Sequence, residues 1–198
     1  AIIVPTDTPG YNIVRTVPVF GETVGDHCEV QYDGVRVPKT NLLGKRGQGF
    51  RLGQTRLGAG RIFHAMRFLG SAQRAFDLMC ERAVRRRAFG SLLADKQLIR
   101  KMIFDTAAEI RSSRPIVLEA ASRMDQGDDA RVEVGMAKVL TAQMFQNAVD
   151  RAIQVHGGAG VTSDFPLERM FRYARQGRIW ERMMKDFFSS GLSVCVIS

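Results

Sequence analysis

A glycine-rich segment in the last third of the chain is the first candidate for ligand binding. Residues 154–160 read Gln-Val-His-Gly-Gly-Ala-Gly, with three glycines in four positions. Glycines lack side chains, so they let a backbone approach a bulky ligand closely. No strand precedes the segment and no Gly-Lys-Ser/Thr closes it, which excludes a dinucleotide fingerprint and a P-loop. Taken alone, the pattern fits a ligand-binding turn and a flexible interhelical loop equally well.

Other residues with ligand-binding chemistry accompany this segment in a fixed order. The chain has Arg61, then Arg-Arg-Ala-Phe-Gly at residues 86–90, then Gln97, and, after the glycines, Phe-Pro-Leu-Glu-Arg at residues 165–169. This order and spacing closely resemble the C-terminal half of acyl-CoA dehydrogenases over about residues 1–181. Tyr173, where that family usually has an acidic or amide residue, resembles the subgroup of family members ten and eleven.

The resemblance implies a bound FAD and a role for each matching residue. Arg86 would contact the FAD pyrophosphate, because a guanidinium fork matches paired phosphate oxygens; its alternative is an ordinary surface arginine. Phe89 and Gln97 would flank the flavin, whereas Gln154, Gly157 and Gly158 would contact the adenosine-diphosphate half. In the family these groups serve the flavin of a neighbouring subunit, so a homodimer or homotetramer is expected.

The implied reaction introduces an α,β double bond into an acyl-CoA thioester. A carboxylate removes the α-proton while the β-hydride passes to the flavin. By family register the base is Glu181, whose alternative is a solvated carboxylate at a helix end, and Arg61 would lie near the substrate. Electron-transfer flavoprotein is the implied electron acceptor. The other hypothesis is a non-catalytic truncated remnant that acts at most as a helical dimerisation module.

The segment after Glu181 departs from the family pattern. Residues 182–198 share nothing recognisable with it, and we expect an incomplete chain with a truncated or frame-shifted end. The predicted domains are residues 1–46, the end of a β-barrel-like middle domain; residues 47–181, a C-terminal helical bundle for FAD binding and dimerisation; and residues 182–198, a divergent tail.

Apolar periodicity predicts the elements that position these residues. Short alternating stretches before residue 46 indicate two or three strands of a half-buried sheet, with Cys28, Val30 and Tyr32 on one face. Three- and four-residue spacing then predicts four helices, and hence a mainly α fold with an up-down four-helix bundle. The predicted apolar stripes are Ile62, Met66, Leu69, Ala72, Phe76 and Met79; Ile99, Met102, Ile103, Thr106 and Ile110; and Met136, Leu140, Met144 and Ala148.

The predicted helix ends rest on glycine, aspartate and proline. The first helix runs to about Arg87 with its arginines opposite the apolar stripe, and the second is closed by Gly127. The third begins near Asp129 as a cap, and the fourth has Pro166 in its first turn.

Composition narrows the remaining function classes. The chain has 198 residues, 45% of them hydrophobic, and a formal net charge of +9 that would suit nucleic acid, a membrane surface or a phosphate-rich small ligand equally well. Scattered basic residues without interleaved aromatics argue against nucleic acid. No apolar run is long enough for a membrane span and the start lacks a secretory signal, so we expect a bacterial cytoplasm or mitochondrial matrix. Three separated cysteines, and His27 and His64 without partners at ligand spacing, predict no disulfide and no metal.

Overall fold

The structure, a computed structural model, describes residues 1–20 and 27–179. Two compact units divide the chain, the first comprising Ala1–Arg56 and the second beginning at Leu57. All predicted site residues except Glu181 belong to the described part of the second unit. Glu181 and the predicted divergent tail lie outside the described residues.

The first unit contains one antiparallel strand pair. Strand β1 (Tyr11–Thr16) pairs with β2 (Cys28–Tyr32), with Tyr11 opposite Tyr32 and a bulge between Ile13 and Arg15. The predicted half-buried face is wrong for Cys28 and Tyr32, which are both exposed, whereas Val30 is partly buried. The physical reason is that a two-stranded sheet buries little surface by itself.

The second unit is helical, and the predicted four-helix bundle is confirmed. Helix α1 (Gly49–Arg85) begins in the first unit and leads to a short hairpin of β3 (Arg87–Ala88) and β4 (Ser91–Leu92). Helices α2 (Gln97–Asp125), α3 (Arg131–His156) and α4 (Leu167–Gly177) follow. Among the described helices, none combines the length and apolar content needed to cross a bilayer.

The end of α2 agrees with the sequence prediction, whereas the starts of α3 and α4 differ from it. After α2, the Gly127 N–H donates to the Met124 carbonyl and the Asp128 N–H to the Arg123 carbonyl, which closes the helix as predicted. Asp129 is not the cap of α3: the capping position is Ala130, and the Asp129 carboxylate binds the Arg131 guanidinium at 2.8 Å. Pro166 lies just before α4, which begins at Leu167.

Two ion pairs show that α2 and α3 run antiparallel. Arg151 of α3 donates to Glu109 of α2 at 2.7 Å, whereas Arg123 near the end of α2 lies 3.3 Å from Glu133 near the start of α3. In a given direction along the bundle, residue numbers therefore increase in α2 and decrease in α3. The beginning of α2 and the end of α3 consequently lie at the same end of the bundle, which will be called the apex.

An aromatic cluster joins α1, α3 and α4. The rings of Phe68 and Phe145 stack with centroids 5.7 Å apart, and Tyr173 meets both edge-on at 6.2 and 6.4 Å. A Cβ built on Gly177 would come within 2.6 Å of the Phe68 ring, so α4 approaches α1 closely. Tyr173, which departs from the family pattern, therefore has a packing role on this core.

The predicted apolar stripes are only partly the buried ones. On α1, Met66 is 52% exposed, Phe68 is fully buried, and Arg61 is 6% exposed, contrary to the prediction that its arginines face away from the core. On α3, Met144 and Ala148 are buried, but Met136 and Leu140 are 38% and 50% exposed. The side of α3 that packs on the other helices includes small and polar residues such as Gly135, Thr141 and Lys138. Apolarity alone therefore misplaces the contact face.

Candidate functional site

The tip of the short hairpin presents a strained aromatic residue. Phe89 and Gly90 link β3 to β4, and both have positive φ, +50° and +79°. Two positive φ values in a two-residue loop give the turn whose twist suits a tight hairpin. Phenylalanine rarely adopts this conformation, because its Cβ crowds the backbone. The side chain is nevertheless 95% exposed, so its contacts within the described part of the chain are too few to offset the strain.

Polar contacts hold this hairpin against the start of α2. The Lys96 ammonium donates to the Phe89 carbonyl at 3.3 Å, and the Leu92 N–H donates to the Asp95 carboxylate at 3.0 Å. The Leu93 N–H donates to the Arg86 carbonyl at 2.9 Å. Gln97 follows as the first residue of α2 and is exposed. Arg86, Phe89 and Gln97 are thus brought into one local unit.

The base of the hairpin carries positive charge that is available to an anion. Arg85 pairs with Glu81 at 2.6 Å, but in residues 1–20 and 27–179 neither Arg86 nor Arg87 has a carboxylate within ion-pair distance. Both arginines are exposed. One turn earlier, the buried Nε of Arg82 lacks a hydrogen-bond partner in the same part of the chain. A phosphate would supply the missing acceptors.

The glycine segment begins as helix and ends as a tight turn. Gln154 lies in the last turn of α3, which extends to His156, and residues Gly157–Val161 form a 3₁₀ turn. Gly157 has φ +61° and ψ −141°, a conformation that essentially only glycine adopts. Residues 154–161 are therefore the end of a helix followed by a turn, and the Gly157 N–H donates to the carbonyls of Ile153 and Gln154.

The glycines of this turn have different surroundings. A Cβ on Gly158 would meet no atom within 4 Å, and Gly157 and Gly158 are both exposed. A Cβ on Gly160 would lie 2.8 Å from the Ile153 carbonyl oxygen. The turn therefore packs against α3 through Gly160 and leaves the backbone of Gly157 and Gly158 open to a ligand.

The predicted site residues that the structure describes lie at one end of the bundle, except for Arg61. The start of α2 lies about 18 Å from Glu109, measured along that helix. Gly157 lies about 9 Å from Arg151, the partner of Glu109, measured along α3 in the same direction. The hairpin and the glycine turn are therefore both at the apex. Arg61 is about 36 Å from Arg86 along α1, so it belongs to a different region. Glu181 lies outside the described residues.

Three titratable groups in the second unit have shifted pKa values, and the Arg131 guanidinium that binds the Asp129 carboxylate lowers the pKa of the first of them. The Lys101 ammonium, which donates to Asp105 at 2.7 Å, lowers the pKa of that carboxyl, and the charges of Lys101 and Arg151 lower it further. Burial raises the pKa of the Cys80 thiol, and the charge of Asp77 adds to this shift. Both effects favour the protonated thiol over the thiolate, which is the more nucleophilic form.

Sequence reasoning proposed the site residues that lie at the apex, but it did not point to the residues that support them. Asp95 and Lys96 stand close to Phe89 in sequence, yet polar residues beside a turn carry no specific signal. Arg151 and Glu109 are 42 positions apart, and nothing in the sequence pairs them. Gly160 belongs to the glycine pattern of the sequence. The absence of a Cβ at this position allows close packing against α3 rather than close approach of a ligand.

Comparison with known proteins gives the family. The family model of the acyl-CoA dehydrogenase C-terminal domain matches residues 47–181. FadE2 of Mycobacterium tuberculosis, named as an acyl-CoA dehydrogenase, is 46% identical over 91% of this chain and 45% of its own length. Acyl-CoA dehydrogenase family member 11 of Gallus gallus is 43% identical over 90% of this chain and 24% of its own. Family member 10 of Mus musculus is also among the relatives.

A solved structure agrees with these sequence relatives. The acyl-CoA dehydrogenase of Geobacillus kaustophilus superposes with a TM-score of 0.86 at 28% identity, over 93% of this chain and 50% of that one. The chain thus spans half or less of the length of these proteins. It belongs to the acyl-CoA dehydrogenase family and carries that family's C-terminal helical domain.

Proposed function

We propose that this chain supplies part of the FAD site of an enzyme that introduces an α,β double bond into acyl-CoA thioesters. The observation that carries the proposal is the hairpin tip, where Phe89 is held in a strained conformation and remains 95% exposed. Such strain persists where a functional contact requires it. The family membership of the chain supports FAD as the group that is contacted.

The apex residues fit this cofactor. Arg86, exposed and without a carboxylate partner in the described ranges, would bind the pyrophosphate. Phe89 would pack on the flavin, and Gln97, at the positive end of the α2 dipole, would bind its polar edge. Gln154 and the open backbone of Gly157 and Gly158 would contact the adenosine-diphosphate half.

The proposed reaction needs a base and a hydride acceptor on the two sides of the substrate. When bound, FAD would accept the hydride that leaves the β-carbon. Glu181 is the proposed base for the α-proton, which its carboxylate would take as the β-hydride departs. Arg61 is proposed to contribute to the acyl-CoA site from its position on α1.

The proposed partners follow from the family. Groups at the apex would serve the flavin of a second copy of the chain, so the working unit is a homodimer or homotetramer. Electron-transfer flavoprotein is the proposed electron acceptor, and the compartment is a bacterial cytoplasm or a mitochondrial matrix.

The experiment is a visible absorbance spectrum of the purified chain with FAD, recorded before and after addition of a mixed set of acyl-CoAs. We expect a resolved flavin band and, where substrate bleaches that band, no bleaching in Glu181→Gln with FAD still bound. Retained bleaching in Glu181→Gln would remove Glu181 as the base. Failure of the wild-type chain to bind FAD would contradict the proposal.

An exposed stripe on α3 favours a second candidate, a helical dimerisation module without catalysis. Val132, Met136 and Leu140 follow one another at four-position steps, Val139 is next to Leu140, and all four are exposed. Met144, which belongs with Met136 and Leu140 to the predicted apolar stripe, is buried. Analytical ultracentrifugation of the wild type and of Leu140→Glu would test the stripe: self-association lost in the variant, without FAD binding in either protein, would favour this module.

A further inference from the structure

His156 is a buried histidine at the point where α3 meets the glycine turn. Its side chain is 4% exposed, although it directly precedes two exposed glycines. The ring nitrogen Nδ1 lies 2.8 Å from the carbonyl oxygen of Ala152, one helical turn earlier. A carbonyl oxygen can only accept, so Nδ1 carries the hydrogen and donates it. This bond fixes the orientation of the ring.

The His156 ring also contacts the segment that follows the turn. Phe165, two residues before α4, meets the imidazole edge-on, with ring centroids 4.8 Å apart. The turn itself rests on the same residue, because a Cβ on Gly160 would lie 3.1 Å from the His156 Cβ. One side chain therefore joins the end of α3, the turn and the entry to α4.

We infer that His156 is a positioning residue, which fixes the backbone of Gly157 and Gly158 where it meets the adenosine-diphosphate half of FAD. The inference rests on the proposed function for its ligand. Its structural part is independent: the outer side of the turn is open, whereas its inner side packs at Gly160 against Ile153 and the His156 Cβ, and the His156 ring is fixed by Ala152 and Phe165. His156 touches no reacting atom and acts through the turn.

Two variants separate the role of His156 from a general contribution to stability. His156→Phe keeps an aromatic ring against Phe165 and removes the Nδ1 donor, while Val149→Ala removes buried methyl groups two turns earlier on α3. His156→Asn restores an N–H donor near the Nδ1 position. We expect FAD to bind about tenfold more weakly to His156→Phe, as for loss of one hydrogen bond, with partial recovery in His156→Asn. Val149→Ala should lower the thermal midpoint without weakening FAD binding.

The second readout does not depend on FAD. Hydrogen exchange at the amides of Gly157–Val161 should accelerate in His156→Phe relative to Val149→Ala, and nitrogen-15 NMR of the wild type should show His156 protonated at Nδ1. If wild-type chain binds no FAD, the proposed function fails, and exchange at the turn still decides the positioning role. Equal FAD affinity and equal turn exchange in the two variants would overturn the inference.

Discussion

The hairpin and the glycine turn are both at the apex, but they present their groups to a ligand in opposite ways. The hairpin exposes a side chain, Phe89, and holds its backbone in a strained turn by contacts from Asp95 and Lys96. The glycine turn exposes backbone and has its support underneath, in Gly160 and the buried His156. One element carries an aromatic group outward, and the other removes side chains so that a ligand can come close.

This difference predicts that substitutions in the two elements change stability and FAD affinity in different ways. At the glycine turn the inner residue determines stability, and the outer residues determine ligand access. At the hairpin the exposed residue lowers stability and is expected to contribute binding energy. Substitutions that separate stability from FAD affinity therefore test the comparison.

The largest expected effect on stability is from Gly160→Ala. The new Cβ would lie 2.8 Å from the Ile153 carbonyl oxygen and 2.9 Å from the Ile153 Cα, which are backbone atoms that cannot move independently. We expect the free energy of unfolding to fall by about 2–3 kcal/mol. Urea denaturation would measure it.

Gly70→Ala is the matched control for that substitution. Gly70 lies in α1 with no atom within 4 Å of its built Cβ, so alanine should raise the free energy of unfolding by up to about 1 kcal/mol. If the two variants changed stability equally, close packing at Gly160 would be refuted.

The next effect concerns the charge at the base of the hairpin. Arg86→Gln should weaken FAD binding by about 1.5–3 kcal/mol, because a charge-assisted contact to the pyrophosphate is lost. Arg87→Gln removes the same charge from the neighbouring position and should have a much smaller effect. Titration of FAD fluorescence at two salt concentrations would measure both. Equal losses would mean that net charge, rather than the Arg86 contact, drives binding.

The smallest expected effect is at the open side of the glycine turn. Gly158→Ala places a Cβ where the structure has no atom within 4 Å, so the chain should keep its thermal midpoint. The methyl group would obstruct the adenosine-diphosphate half and weaken FAD binding by about 1 kcal/mol. Calorimetric titration would measure the change, and unaltered affinity would show that this face is not used.

The helices were predictable from sequence because their periodicity is local. All four helices and the closing role of Gly127 follow from apolar spacing and turn chemistry. Their buried faces were less predictable, since Met66 is exposed while Phe68 and Lys138 are buried. Which side of a helix is covered depends on its neighbours, and α3 contacts other helices through small and polar residues as well as large apolar ones.

The candidate site was predictable in its exposed groups and unpredictable in its supports. Arg86, Phe89 and Gln97 are close in sequence, and the hairpin brings them together. The pairing of Arg151 with Glu109, which aligns the two elements at the apex, joins residues far apart in the chain. The role of His156 depends on a ring contact with Phe165 across the turn, which spacing alone cannot show.

The most direct test of the central claim is Phe89→Gly, with thermal unfolding and FAD titration performed on the same preparation. Glycine adopts positive φ freely, so relief of strain should raise the free energy of unfolding by about 1 kcal/mol. Loss of the exposed ring should weaken FAD binding about tenfold. The predicted result is therefore a more stable protein that binds FAD more weakly. Unchanged FAD affinity would contradict the account, because the strained aromatic tip would then have no part in the cofactor site.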